Sequence, residues 1–312
     1  MSMKKKVFKV ILLVIVLILI ASCGFKPSTG ETPQETSVIL KQVQTGTQGI
    51  VANFVPNYPP PDMYDITELL VLAEIKNKGN YDLEPGACHI HLTGYADQII
   101  KGMPTYLPCG MIEGKDIHNL EGGFNQLEFR SSNIKLPPKL FDYHAPLNLL
   151  ACYKYQTVAN PQVCVENNLY QIASEQKACI VKDVSGGGGQ GAPLGVSYVR
   201  PQMAGSKAIF EISIQNFGTG KVLSPTIGTH QCAKDLTYKD YDLVAYSVKL
   251  SGVNNLLCKP QGFLRLYNGQ GKIICSAIVP NTPAYETPIT ITLDYNYMES
   301  ILKTIQIIKT PE

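Results

Sequence analysis

Short runs of alternating apolar and polar residues, each cut off by Gly, Pro or Asn, recur along most of the chain, and this period of two restricts its fold more than any other feature. In the first half the runs are 50–54, 69–76, 87–93, 127–131 and 147–157. In the second they are 208–215, 243–250, 263–267, 272–279, 289–295 and 303–308. No long amphipathic helical run competes with them. Alternation of this kind buries one face of each sheet, so the expected class is all-β, built as two β-sandwiches of about seven short strands each.

The two halves echo each other. Glu74-Ile75-Lys76-Asn77-Lys78-Gly79 has a counterpart in Ser213-Ile214-Gln215-Asn216-Phe217-Gly218, in each case a strand running into an Asn-x-Gly turn, which suggests duplication of one module. Between them lies Gly186-Gly187-Gly188-Gly189-Gln190-Gly191. This run formally fits a dinucleotide fingerprint, but Ala192-Pro193-Leu194-Gly195 and another strand-like run follow it where that motif requires a helix. We read it as a flexible linker, which gives domains at 50–184 and 194–312 joined by 185–193. Tyr58-Pro59-Pro60-Pro61-Asp62 lacks ladder donors and is expected as an extended segment at a sheet edge. With no Trp in the chain, a close relative of antibody domains is excluded, and the sandwiches are immunoglobulin-like only in the broad sense.

The N-terminus fixes the compartment. Lys4, Lys5, Lys6 and Lys9 precede an apolar run over 10–21, the order of an export signal, so 1–22 is expected as signal peptide or membrane anchor with its start on the cytoplasmic side. That run of about 12 residues covers roughly 18 Å of a ~30 Å hydrocarbon core. Ile20-Ala21-Ser22-Cys23 resembles the lipobox of lipoproteins, and the resemblance implies cleavage before Cys23 and lipid attachment to it; the alternative is an uncleaved anchor. Residues 23–49, rich in Thr, Gln, Gly and Pro, are expected as a flexible tether.

Charge and cysteine usage agree with that placement. With 27 basic and 25 acidic residues the formal net charge is +2, and no basic block follows Lys9, so nucleic acid is excluded as a partner. Nine cysteines without Cys-x-x-Cys spacing point to disulfides in an oxidising compartment. Setting Cys23 aside leaves an even set with on the order of a hundred connectivities. Proximity favours Cys164 with Cys179, Cys258 with Cys275 and, more weakly, Cys88 with Cys109. Cys152 and Cys232 remain, either clasping the two domains or free.

Candidate chemistry is sparse. His89 and His91, two apart on a strand, face the same way and offer two imidazoles to one Zn²⁺ or Cu²⁺, with His118, His144, Asp116 or Glu113 as further ligands only if the fold brings them near; the bland alternative is a pair of solvent-facing histidines. No Gly-x-Ser-x-Gly, His-Glu-x-x-His or Ser-x-x-Lys motif occurs, no cofactor is implied, and Asp240 with Asp242 or Glu121 with Glu128 are undistinguished carboxylate pairs. Tyr153 with Tyr155 and Tyr238 with Tyr241 offer rigid contact area or fill the sandwich periphery. The Asn-x-Gly strand ends, with Ala151-Cys152-Tyr153-Lys154-Tyr155-Gln156-Thr157, Val163-Cys164-Val165, Gly191-Ala192-Pro193 and Asn216-Phe217-Gly218-Thr219-Gly220, resemble uncharacterised secreted Ig-like, adhesion-type surface proteins of small-genomed archaea. The resemblance implies an extracytoplasmic β-sandwich protein and adds no site. The expected function is therefore non-catalytic: a membrane-tethered envelope protein that binds another envelope protein or a surface polymer, or alternatively a receptor for a small ligand or metal ion.

Overall fold

The computed structural model describes residues 33–166, 177–279 and 283–311, and the signal segment and Cys23 lie outside them. Helix α1 (Pro33–Gln44) occupies ground expected as tether. Its interior has neither Gly nor Pro, and Pro33 stands at the first helical position, where its missing N–H costs nothing. Among the described residues no helix is long and apolar enough to cross a membrane.

The rest is all-β. The first half contributes β1 (Ile50–Phe54), β2 (Asp62–Tyr64), β3 (Leu69–Asn77), β4 (Cys88–Thr93), β5 (Ile100–Lys101), β6 (Tyr106–Pro108), β7 (Phe124–Ser131), β8 (Asn133–Ile134), β9 (Asp142–Ala159) and β10 (Gln162–Val165). The second contributes β11 (Val184–Ser185), β12 (Leu194–Ala204), β13 (Lys207–Asn216), β14 (Lys221–Leu223), β15 (Leu243–Leu250), β16 (Leu257–Lys259), β17 (Phe263–Arg265), β18 (Gln270–Ile278) and β19 (Tyr285–Ile308). The runs expected at 289–295 and 303–308 are thus one strand. Residues 296–302 blur the alternation with Glu299, Ser300 and adjacent apolar residues, and it is the partner strand that holds them extended.

That partner is β9. It pairs antiparallel with β19 along its whole length, from Asp142 opposite Ile308 to Ala159 opposite Ile291. The resulting sheet runs β17-β15-β19-β9-β4-β6, with three strands of the second half on one side of its centre and three of the first half on the other. Over its inner face lie the three-stranded sheet β1-β3-β7 and the five-stranded sheet β11-β12-β13-β18-β16, and one continuous apolar core extends from Ile50 to Ile307. Residues Leu40–Glu312 form a single compact unit. The halves expected as separate sandwiches therefore share a sheet and a core. The segment read as a flexible linker is packed: Gln190 is buried, donating to Val196 O at 3.2 Å and accepting from Val196 N–H at 2.8 Å, and a Cβ on Gly186 would lie 1.8 Å from Val196 O. Glycine is used there for close approach. Residues Tyr58–Pro61, expected to be extended, bend after a turn closed by Tyr58 N–H on Val55 O at 3.0 Å, and Pro61 O accepts from Gln306 N–H at 2.7 Å before β2 pairs in parallel with β19.

The internal repeat is visible atom by atom. A two-fold rotation about the midpoint between the cross-strand neighbours Lys154 and Asn296 carries Tyr153 onto Tyr295 and Tyr155 onto Tyr297. All four rings share the inner face and form a closed quartet, with neighbouring centroids 5.6 to 6.3 Å apart. Burying a phenol demands a partner for its hydroxyl. The Asn-x-Gly turns supply two of them. Tyr155 O–H donates to Asn77 Oδ1 at 3.4 Å and accepts from Tyr81 N–H at 3.3 Å. At the mate position Tyr297 O–H donates to Asn216 Oδ1 and accepts from Gly220 N–H, both at 2.9 Å. Each Asn also takes the N–H of its turn glycine and donates to the carbonyl two residues beyond it. The turn glycines leave room for the phenols, since a Cβ on Gly79 would meet Tyr155 OH at 1.8 Å and one on Gly218 would meet Tyr297 OH at 2.4 Å.

The quartet is not fully symmetric. Tyr295 OH is bonded to Thr157 Oγ1 at 3.0 Å and to Leu194 N–H at 3.3 Å, whereas its mate Tyr153 OH is buried without a partner. The residue at the mate position of Thr157 is Glu299, whose carboxyl is held above the usual range by burial. Tyr297→Phe should therefore cost about 1 kcal/mol by removing the acceptor of the half-buried Gly220 N–H and one of the two donors to Asn216 Oδ1, while Tyr153→Phe should be near neutral. Equilibrium denaturant unfolding of the two variants measures the difference, and equal costs would contradict the asymmetry.

Candidate functional site

The connections between equivalent strands differ sharply in length. In the first half only Glu84–Ala87 separates Leu83 from β4, whereas in the second a strap of residues 224–242 separates β14 from β15. The strap crosses the outer face of the shared sheet and includes the 3₁₀ turn Thr229–Gln231. Asn296 holds it by donating to Ser224 O at 3.0 Å and to Ile227 O at 2.6 Å. A disulfide from Cys232 to Cys152 of β9 pins it to the first half, and Leu223 and Ile227 pack with the two cysteines in a small cluster of their own. This pair, left open by the sequence, clasps the halves. The structure also pairs Cys88 with Cys109, Cys164 with Cys179 and Cys258 with Cys275.

The strap brings Thr229 and His230 onto β4. His91 is 2% exposed, so the solvent-facing alternative does not describe it. Its Nε2 lies 2.9 Å from Thr229 O, a carbonyl, so this nitrogen carries the proton and Nδ1 keeps the lone pair in the neutral ring. His89 Nδ1 lies 2.7 Å from Thr229 Oγ1, whose own proton goes to Gly86 O at 3.2 Å. The hydroxyl therefore accepts from His89 Nδ1–H, and His89 Nε2 keeps the lone pair. One residue fixes both tautomers. The exposed ring of His230 stands 6.0 Å from that of His89, and Tyr106 of β6 stacks against all three histidines at 5.5 to 6.3 Å.

The other ligands considered do not arrive. Asp116 is occupied by the backbone N–H groups of His118 and Asn119, and His144 lies on β9 at 3.8 Å from Asp142. His230 carries no local sequence signal, since the strap returns to β4 across some 140 residues. Among the described residues no group of three or more His, Cys, Asp or Glu is arranged to hold a metal ion. Of the carboxylates, Asp240 accepts from the N–H and hydroxyl of Thr237, which holds it below its usual range, and Glu121 pairs with Lys76. Tyr153 and Tyr155, considered as contact surface, are core residues; Tyr238 is 75% exposed.

A second feature is a surface. On the solvent face of β18 and β16, Ile274, Ile278 and Leu257 are 50%, 78% and 74% exposed, and beside them Leu256, Tyr246 and Val248 help to line a cleft of about 760 Å³. Aligned through the Asn77–Gly123 and Asn216–Gly269 bonds, the first half carries Glu128 of β7 at the mate position of Ile274 and Ser132, just past β7, at that of Ile278.

No family model matches the chain, and no curated protein matches it. Solved structures do, among them the secreted serine protease VesC from Vibrio cholerae, at 10% identity over 83% of this chain and 52% of that one, with a TM-score of 0.20. The chain thus spans about half the length of that protein, and a likeness at this score carries no argument about fold or activity.

The electrostatics of the histidines give a pH dependence. Burial pushes His89 below the ordinary 6.5, helped by its neighbours His91 and His230, and burial likewise lowers His91 despite the opposing bond to Thr229. A folded-state value below the unfolded one contributes stability that is complete above about pH 6.5 and is lost as pH falls through the folded value. Wild-type chain should lose stability between neutral and mildly acid pH, and His89→Gln/His91→Gln should flatten that slope. Unfolding midpoints against pH test this, and an unchanged slope in the double variant would refute it.

Proposed function

We propose that the chain is a non-catalytic envelope protein, held through Cys23 or an N-terminal anchor to the outer face of the cell membrane, which uses its β body to bind another envelope protein or a surface polymer. Four disulfides suit an oxidising compartment outside the cytosol. The observation that carries the reading is the apolar face of β16 and β18. Three large aliphatic side chains side by side on a solvated sheet, next to an apolar cleft, are the usual mark of a contact surface. The repeat strengthens the point, because the mates of Ile274 and Ile278 are the polar Glu128 and Ser132, and the fold does not demand aliphatic residues there. Cross-linking on intact cells with a membrane-impermeant reagent should join the chain reproducibly to one envelope component, and Ile274→Glu/Ile278→Glu should abolish that product while leaving the unfolding midpoint unchanged. Labelling of exposed lysines with no cross-linked component would overturn the reading.

A second reading rests on the histidines. A metal-ligating imidazole donates its other N–H to a fixed acceptor, and Thr229 provides that acceptor for both His89 and His91. His230, exposed on the same turn, is the nearest third imidazole for Zn²⁺ or Cu²⁺. A metal at ~100 times its Kd would add about 2.7 kcal/mol of stability. Calorimetric titration and melting with Zn²⁺ and Cu²⁺ check this, and an unmoved melting temperature would dispose of it.

A further inference from the structure

The internal repeat gives each sheet edge a mate against which to compare it. Asn77 N–H donates to Gly123 O at 2.9 Å, and Asn216 N–H donates to Gly269 O at 2.8 Å, so these paired bonds fix the alignment of β7 with β18. Counting from them, Glu128, Phe129 and Arg130 match Ile274, Cys275 and Ser276. On β18 this stretch is covered: β16 pairs antiparallel with it, Lys259 opposite Ile274, Cys258 opposite Cys275 and Leu257 opposite Ser276, and the Cys258–Cys275 disulfide fastens it. On β7 nothing among the described residues covers it: there β7 pairs only with β3, at the end of its sheet.

The bare edge has a defined set of free groups. The Asn77–Gly123 bond sets the parity of the β3–β7 ladder, so residues 125, 127, 129 and 131 exchange bonds with β3, and 124, 126, 128 and 130 direct theirs outward. Gln126 N–H is closed off by the side chain of Asn125 at 2.8 Å. The N–H groups of Glu128 and Arg130 find no partner among the described residues. These are the two positions through which β18 holds β16.

We propose that β7 pairs with β7 of a second copy of this chain, antiparallel and centred on Phe129, so that two β1-β3-β7 sheets join into one across a two-fold axis. The charge pattern selects this occupant. In that register Glu128 of each copy stands directly opposite Arg130 of the other, twice over, and the bonded pairs it forms use the outward N–H and C=O groups of those residues. Phe129 meets its own mate on the inner face, as Cys258 meets Cys275 in the other half. Within one copy Arg130 already lies 2.6 Å from Glu128 and 2.8 Å from Glu68, both partners about half exposed, so the charged row is preformed on the solvent face. A lysine-guarded edge would repel a second copy, and β7 has no lysine.

Sedimentation equilibrium of the full chain in density-matched detergent tests the proposal. Wild-type chain should show a concentration-dependent monomer–dimer equilibrium. Glu128→Arg sets Arg against Arg at both crossings and should weaken the dimer about tenfold or more, while Glu128→Arg/Arg130→Glu restores opposite charges and should recover most of the wild-type affinity. Glu128→Pro removes one outward N–H without touching the β3 ladder and should abolish the dimer; its circular dichroism and melting temperature check that it folds, and the charge exchange stands without it. A wild-type chain monomeric at all concentrations, or a dimer indifferent to Glu128→Arg, would overturn the proposal. Failure here leaves the apolar face of β16 and β18 untouched, since that surface is read out on cells.

Discussion

The antiparallel pairing of β9 with β19 is the constraint from which the rest of the architecture follows. A strand of eighteen residues paired along its full length with one of twenty-four leaves no seam at which two modules could part. Alternation then places Tyr153, Tyr155, Tyr295 and Tyr297 on one face at the sheet's centre, under both smaller sheets. Four phenols are a large apolar payload, but each brings a hydroxyl that burial strips of water, and burial holds all four well above the usual phenol range. The Asn-x-Gly turns answer that demand. They satisfy Tyr155 and Tyr297, and in doing so they dock β3 and β13 onto the central sheet at a fixed height. Turn chemistry, sheet packing and the join between halves are one interlocked arrangement.

A repeat also shows where a chain has departed from what its fold requires. Matched positions that keep the same bonds, such as Asn77 and Asn216, report structural need. Matched positions that differ report something else: Glu299 where the mate is Thr157, a strap of residues 224–242 where the mate is the four residues Glu84–Ala87, aliphatic side chains on β18 where β7 is polar. The strap is the largest departure. It spends a disulfide and two hydrogen bonds from Asn296 on holding a turn over β4, and it leaves Thr229 buried against two histidines with its hydroxyl and carbonyl engaged. Connections that vary while the scaffold stays fixed are where binding residues collect.

Most strands could be located from sequence because each buries one face, and 243–250 matches β15 end to end while 50–54 matches β1. The echo around Asn77 and Asn216 was legible for the same reason, being local. What escaped was non-local or ambiguous in composition. A glycine run looks alike whether it serves flexibility or tight packing, and only Val196 O against Gly186 distinguishes the two. The continuity of β19 depends on β9, and the burial of Tyr153 and Tyr155 depends on strands that arrive later in the chain. His89 and His91 were identifiable as a pair on one face, but the residues that give the pair its chemistry, Thr229 and His230, lie on a strap whose path no local signal encodes. Short disulfide loops suggest themselves by proximity; Cys152 and Cys232, separated by 80 residues, do not.

Sheet edges bring these threads together. Joining two modules through β9 and β19 buries one edge of each, but β7 and β18 remain as outer edges with rows of backbone groups to satisfy. The second half closes β18 with β16 and anchors it covalently, so that edge is finished within the chain. On β7 the one local remedy among the described residues is the Asn125 side chain over Gln126, and the next two outward-facing residues, Glu128 and Arg130, are a carboxylate and a guanidinium of opposite sign on one face. Charges that protect an edge are usually of one kind, because like charges repel a copy of themselves. A Glu-x-Arg pair does the reverse, since its antiparallel image places each charge against its complement. The same repeat that satisfied the core thus left one edge finished and its mate with a pattern that is its own best partner.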